Sequence, residues 1–405
     1  MATRSPIQHT ARTQVGIVGA GPSGLLLSQL LQLEGISSVV LETRSRARVE
    51  SRVRAGQLEP ATVKVLSQAG VGTRLKSQGL PQPGVVFHYE AQTRRLDLEK
   101  LCGRSVTIYG QREVVRDLVA ARLSAGGNII FEASQVAIHG LDTSNPALSF
   151  QHNDQNHLLH CDFIAGCDGY HGVCRPAIAD ALRIFECRHP FGWLGILAEA
   201  PPISPEVLYS CHERGLALFS MRSPQISRLY LQCASDEDLH QWSDERIWDE
   251  LRLRLDVRAG DLTDGRIMEK SVVRMRSFVA EPMQHGRLFL VGDAAHIVPP
   301  SAAKGLNLAV ADVCSLARGL ERFYAADDER LLRDYSKTGL PRVWEGQRFS
   351  QWMTRLLHNL GDGGPFDRRI QLAELDRVFC SESAAACFAE AYVGRPMDAK
   401  EWTHP

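Results

Sequence analysis

The chain has 405 residues, 44% hydrophobic and 23% charged, with a formal net charge of −1. That length implies roughly two to three structural units of ordinary globular composition, and the near-neutral balance supplies no field for nucleic acid or a membrane surface. Ten cysteines at irregular spacing, with no CxxC pair, read as reduced cytoplasmic thiols, neither a disulfide frame nor a zinc site.

In chain order, "MATRSPIQHTARTQ" is polar and lacks an apolar signal core, so residues 1–12 read as a disordered tail. No later run is long and apolar enough for a membrane span. "QVGIVGAGPSGLLLSQLLQLEGISSVVLE" then predicts strand, turn, helix, strand. Gly19, Gly21 and Gly24 form GxGxxG, Pro22 suits the helix start, and Glu42 closes the second strand. Such glycines let backbone approach a pyrophosphate at a positive helix end, and the acid accepts ribose hydroxyls. Alone, GxGxxG is a tight turn; with strand, helix and acid in place it predicts a dinucleotide site. His152, His157 and His160 sit in a polar stretch without an acidic or thiol partner, which reads as a solvated loop or edge and not a metal site.

Two later segments bear on which dinucleotide. "DFIAGCDGYHGVCR" ends a strand at Asp168-Gly169, and "FLVGDAAHIVPPSAAKGLNLAVAD" runs from a buried strand through Gly292-Asp293 and two prolines to a helix start. Taken singly, Asp168 and Asp293 read as strand-end caps. Each proline disfavours the helical region in its predecessor, so "HIVPP" is a stiff extended loop. "ALFSMRSPQISRLYLQ" reads as a hairpin in which Ser220 and Arg222 share a face and Tyr230 returns beside them. By itself that is an exposed hairpin with a surface arginine.

Taken together, the three glycine and aspartate motifs resemble the single-component flavoprotein aromatic hydroxylases, and among them those acting on 4-hydroxybenzoate. The resemblance runs from Thr13 to Gly394 and rests on "RVRAG", "YGQREVVRDL", "AGCDGYHG", "PFGWLGILAEAPP", "RSFVAEPMQHGRLFLVGDAAHIVPP", "AKGLNLA" and "AYVG". It implies an α/β fold: a Rossmann-like FAD-binding domain over residues 13–182 and a mainly β substrate domain over 183–296. That second domain takes strands from near 80–98 and returns to the first near 287–296, and a helical interface region follows over 297–405. It implies FAD as cofactor, NADPH or NADH as electron donor, O2 and a small aromatic acid as partners, and a homodimer.

The implied reaction is hydroxylation of 4-hydroxybenzoate at position 3 to 3,4-dihydroxybenzoate through a flavin C4a-hydroperoxide. A related flavin hydroxylase of 4-aminobenzoate or a dihydroxybenzoate is the alternative enzyme. A protein that keeps the FAD fold without the flavin is the non-catalytic one. By resemblance, Ser220, Arg222 and Tyr230 bind the substrate carboxylate. Tyr209 and Tyr392 hydrogen-bond the phenol and pass its proton outward, with Pro300 and Ser301 beside substrate and flavin. The FAD residues implied are Gly19, Gly21, Ser23, Gly24, Glu42, Arg52, Arg54, Ala55, Gln111, Asp168, Arg228, Asp293, Lys304, Leu306 and Asn307. Arg44, Arg48, His171, Arg175 and Arg276 are the candidates for the nicotinamide cofactor; no metal is implied.

Three departures stand out. An ungapped alignment sets Gln82 where the family carries the histidine ending its proton relay, and glutamine does not ionise. Ser301-Ala302 replaces a commoner Thr-Gly, and alanine is less free than glycine at positive φ. "TRSRARVES" after Glu42 offers Arg44, Arg46 and Arg48 to a 2′-phosphate, or is a solvated basic helix.

Overall fold

The computed structural model describes residues 7, 9–52, 56–256, 261–360 and 364–396. Its centre is a six-stranded sheet in the spatial order Gln284–His285, Leu288–Leu290, Phe163–Gly166, Val15–Val18, Ser38–Leu41, Asn128–Ile130. All neighbours are parallel except the first pair, with Val15 opposite Phe163 on one side and Ser38 on the other. Every residue of Val15–Val18 and of Phe163–Gly166 is buried, as expected for parallel strands covered on both faces. The helix Pro22–Leu33 packs on this sheet and against the helices Gln111–Ser124 and Gly305–Ala326.

The second sheet has eight strands, in the order His296–Ile297, Arg266–Glu281, Arg183–Glu199, Ile226–Ala234, Gly215–Ser223, Leu208–His212, Gly84–Tyr89, Gln92–Asp97. Two of these strands, Arg183–Glu199 and Arg266–Glu281, are 17 and 16 residues long. The first half of Arg183–Glu199 is largely exposed, whereas Phe191–Ala198 is buried except for Leu197. Strand alternation then divides the buried half between two cores. Leu194, Ile196, Phe219, Leu229 and Leu231 pack with Trp248 and Leu251 of the helix Asp244–Leu255. Phe191, Trp193, Tyr209, Leu218 and Tyr230 face Phe349, Met353, Phe388 and Tyr392 of the C-terminal helices Tyr335–Leu357 and Glu382–Val393. The period-2 side that carries Tyr209 and Tyr230 is thus the one the helices cover.

One expectation is corrected. Within the segment read as a tail, His9–Arg12 form a strand that pairs parallel with Gln155–His160, opposite His157 to His160. Its backbone bonds, with Arg12 against Asp162 at 2.5 Å and Asn145 at 2.7 Å, offset the polarity that suggested disorder. His152 and His157 lie on paired strands of the same four-stranded sheet, where His157 stacks between His9 and Phe150. Among the described residues no group of side chains is arranged to hold a metal, and no helix is long and apolar enough to cross a membrane.

Candidate active site

Gly21 caps the helix Pro22–Leu33, and Gly19 adopts φ +104°. A Cβ on Gly24 would overlap the Gly19 carbonyl, and one on Gly19 would overlap the Cys167 carbonyl, so both glycines are required by close backbone packing. A Cβ on Gly21 would meet nothing within 4 Å. That open, amide-lined space at a helix N-terminus is the shape of a phosphate cradle. Beside it, Glu42 accepts from the Ala20 and Arg44 N–H groups, each at 2.8 Å, which fixes its carboxylate at the strand end.

The other two motifs converge on the cradle. A Cβ on Gly292 would lie 3.0 Å from both Ser23 Oγ and the Ala309 Cβ, and one on Gly169 would lie 4.0 Å from the Asp293 Cβ. Asp168 accepts from the Cys174 N–H at 2.9 Å, while its Oδ1 is buried without a partner among the described residues. Burial pushes the Asp168 pKa up, against the pull of that hydrogen bond. Gln111 opens the helix Gln111–Ser124. Arg52 is exposed, and Arg54 and Ala55 lie outside the described residues.

The proline loop is stiff for more reasons than its prolines. His296–Ile297 pair with Phe278 and Val279. The His296 ring meets Asp312 at 2.7 Å, and Asp312 also accepts the Gly292 N–H at 2.9 Å. Pro300–Ala302 form a 3-10 turn whose cap, Ala303, is left-handed at φ +52°. The left-handed residue is therefore Ala303, and Ala302 sits inside the turn, so the Ser-Ala replacement does not force alanine into a positive φ. Ser301 is held by Thr354 Oγ1 at 2.9 Å. The helix Gly305–Ala326 follows with no side-chain cap, leaving the first-turn N–H groups, those of Leu306 and Asn307 among them, facing outward from its start. The Asn307 side chain ties this start to Gln57–Thr62: it accepts from the Glu59 N–H at 2.9 Å and Thr62 at 2.8 Å, and donates to the Gln57 carbonyl at 3.1 Å. Lys304 pairs with Glu59 at 2.6 Å and donates to the Tyr392 carbonyl at 2.9 Å. Its charge is therefore largely compensated.

On the covered face of the second sheet, Ser220 lies opposite Arg228, and Leu218 opposite both Tyr209 and Tyr230. The register shifts between Met221 and Ser223, so Arg222 sits at an irregularity of the ladder, near Tyr230 and Arg228. Arg222 Nη1 and Arg228 Nε and Nη1 are sealed from solvent with no partner among the described residues. Burial holds the Arg222 pKa below its ordinary value, though arginine stays charged. A Cβ on Gly195 would lie 2.6 Å from the Arg228 guanidinium, so that glycine makes room for it. One buried and one half-buried guanidinium group with free, sealed N–H bonds, beside Ser220 and Tyr230, are a site for a carboxylate.

The Tyr209 hydroxyl donates to the Ser301 carbonyl at 3.1 Å and lies 3.5 Å from the Tyr392 hydroxyl, which donates to Gln57 Oε1 at 3.0 Å. Gln82 does not end this string. Its amide donates to the Pro205 and Pro81 carbonyls at 3.1 and 3.2 Å and accepts the Val207 N–H at 3.0 Å. Behind the pocket, Trp193 packs 4.9 Å from Tyr230 and donates to His358 Nε2 at 2.7 Å. Gln57, Gly195, Thr354 and His358 were not singled out by sequence reasoning. Gln57 directly follows "RVRAG", the one available signal.

Arg175 lies over the rings of Tyr170 and Phe278 at 4.5 and 4.7 Å, and Arg276 over Tyr170 at 4.4 Å. His171 meets the Tyr170 ring edge-on at 4.9 Å, so these three candidates for a nicotinamide cofactor cluster on one aromatic ring. Arg44 and Arg48 are exposed at the helix Arg46–Ser51, apart from that cluster.

Residues 12–350 match the family described as "FAD binding domain". The chain is 47% identical to p-hydroxybenzoate hydroxylase of Acinetobacter baylyi over 97% of its own length and 98% of that protein. It is 24% identical to a probable NADH-specific resorcinol 4-hydroxylase of Rhodococcus jostii, over 81% of this chain and 62% of that one. Its fold matches the crystal structure of p-nitrophenol 4-monooxygenase from Pseudomonas putida with a TM-score of 0.79 at 19% identity, over 96% of this chain and all of that one. The cradle, with its open space at Gly21 and the unpartnered Asp168 oxygen, fits the FAD that this family binds. The chain belongs to the FAD-binding-domain family of flavin-dependent aromatic hydroxylases.

Proposed function

We propose that the protein hydroxylates 4-hydroxybenzoate at position 3, giving 3,4-dihydroxybenzoate with O2 and NAD(P)H. The observation that carries this reading is the occurrence, on one covered sheet face, of sealed and unpartnered guanidinium nitrogens of Arg222 and Arg228 with a hydrogen-bonded tyrosine pair: a clamp for a carboxylate and a relay for a phenol proton. Reduced FAD, when bound, supplies the activated oxygen that side chains do not. The chain's own residues do the rest. Arg222, with Ser220 and Tyr230, holds the carboxylate in a fork of N–H and O–H donors. The phenol then reaches Tyr209, and losing its proton makes the ring carbon beside it a better nucleophile. Burial pushes the Tyr209 pKa well above the ordinary range and that of Tyr392 up to about 12, so both hydroxyls are neutral relays at pH 7. The 3-10 turn at Pro300–Ala302 sets the distance between the substrate and the flavin site, and the C-terminal helices exclude water.

The Tyr170 cluster of His171, Arg175 and Arg276 supports a docking place for the nicotinamide cofactor. We read the chain as a homodimer too, a reading supported by Phe366 and Ile370, 73% and 56% exposed on the helix Gly364–Cys380; sedimentation tests it. No disulfide joins the cysteines among the described residues, in keeping with a cytoplasmic protein. The deciding assay follows NADPH and NADH oxidation with a panel of para-substituted benzoates and identifies the product. Hydroxylation of 4-aminobenzoate or a dihydroxybenzoate, with none of 4-hydroxybenzoate, would overturn the substrate assignment.

A further inference from the structure

The string of hydroxyls from the substrate pocket ends on an amide. Tyr392 donates to Gln57 Oε1, and Gln82, the residue that the alignment sets at the relay end, is held by Pro81, Pro205 and Val207. The Gln57 backbone is fixed as well: its carbonyl accepts from Asn307, and its strand pairs with Val106–Ile108, Gln57 lying opposite Ile108. The side chain therefore works from a rigid base. An amide is an acceptor at one end and a double donor at the other, the two ends being nearly equal in shape.

We propose that Gln57 is a positioning residue whose amide sets the direction of both tyrosine hydroxyls. With Oε1 toward Tyr392, the Tyr392 hydrogen points outward, and the Tyr392 oxygen is free to accept from Tyr209 once the Tyr209 hydrogen turns from the Ser301 carbonyl, its acceptor in this structure. That order lets Tyr209 accept from a neutral phenol. With Nε2 toward Tyr392, the Tyr392 hydrogen turns inward to Tyr209, and the Tyr209 hydrogen turns to a bound phenolate. In the deprotonation step the phenol O–H breaks, each hydroxyl accepts one proton and releases one, and the last proton leaves from the Tyr392 end to water. The amide carries no proton in either order; it follows the reversal by turning. The charged groups nearest the string are Lys304 with Glu59, at the Tyr392 carbonyl, and Arg222 and Arg228 beside Tyr230.

This inference rests on the phenol reading above, and its test separates the two. Gln57→Glu keeps an acceptor and loses the donor; Gln57→Leu loses both. In oxidised holoenzyme, titration of bound 4-hydroxybenzoate by its phenolate absorbance should shift upward in Gln57→Glu by about one pH unit, a tenfold change in the phenol to phenolate ratio. The shift in Gln57→Leu should be smaller, with substrate affinity little changed in both. A second readout needs no substrate. In 13C-tyrosine-labelled protein, the Tyr392 Cζ resonance, assigned by its loss in Tyr392→Phe, should move in both variants. Equal phenolate titrations in parent and Gln57→Glu, or an unmoved Tyr392 resonance, would overturn the role of Gln57. A moved resonance in a protein that binds no phenol would leave the hydroxyl ordering standing and sink the substrate reading instead.

Discussion

Gly19, Gly21 and Gly24 stand within one turn of chain and act through side chains they lack. The pocket is built the other way: Gln57 and Tyr392, 335 residues apart, meet through side chains alone, and Tyr209 and Ser301 join them from 183 and 92 residues away along two further contacts. Backbone geometry tolerates no change of residue where it is tight and almost any change where it is open. Side-chain geometry degrades group by group. The two regions should therefore fail differently when mutated.

The largest effect is expected at the tight end of the cradle. Gly24→Ala drives a Cβ into the Gly19 carbonyl, which cannot move without the sheet; expression should yield little folded flavoprotein. Gly21→Ala is its opposite. Thermal stability of the apoprotein should stay as in the parent, while FAD affinity falls, because the open space is where a pyrophosphate approaches. Equal FAD affinity in Gly21→Ala and parent would show that the space is not the cradle.

In the pocket, Arg222→Ala should weaken binding of 4-hydroxybenzoate by roughly 2–5 kcal/mol, the range for removing one partner of a buried charge pair. FAD content should be unchanged, and near-normal affinity by fluorescence titration would remove this strand from the substrate site.

The pocket wall should respond to acid. Burial holds His358 neutral and lowers its pKa to about 3, with its Nε2 accepting from Trp193. A histidine depressed in the folded state adds stability above its unfolded pKa near 6.5, and loses it as pH falls toward the folded value. Relative to His358→Asn, the parent should lose about 2 kcal/mol between pH 7 and pH 5. Denaturant titration of holoenzyme measures the gap; a gap constant with pH would mean that His358 titrates alike in the folded and unfolded states.

Tyr209→Phe is the mildest in binding, with a loss of about 1 kcal/mol for one hydrogen bond. Its signature is in the products: NAD(P)H oxidation should continue while hydroxylated product gives way to hydrogen peroxide. Coupling equal to that of the parent would count against proton relay through Tyr209.

The same contrast explains what was legible in the sequence. GxGxxG with Glu42 is local, so strand, turn, helix and acid could be read from one short segment. Arg222 and Tyr230 followed from alternation within a hairpin, although the register shift at Arg222 did not. The partner of Tyr392 was misplaced because Gln82 and Gln57 lie on strands of the same three-stranded sheet, each flanking Val106–Ile108. Alignment could rank one glutamine by its position in a motif, but which amide faces the tyrosine depends on the turn of each strand. His358 and Thr354 were invisible for a similar reason: their partners, Trp193 and Ser301, come from other elements.

The strand His9–Arg12 has a consequence for handling the protein. It occupies the open hydrogen-bonding edge of Gln155–His160, and its own residues are exposed and polar. An uncovered strand edge is a template for another chain, and natural proteins protect such edges with short, charged strands. Chains trimmed to begin at the dinucleotide motif would keep every residue of the cradle and the pocket, yet present that edge to their neighbours. Loss of material to self-association, with catalysis intact in what stays in solution, is the behaviour to expect of them.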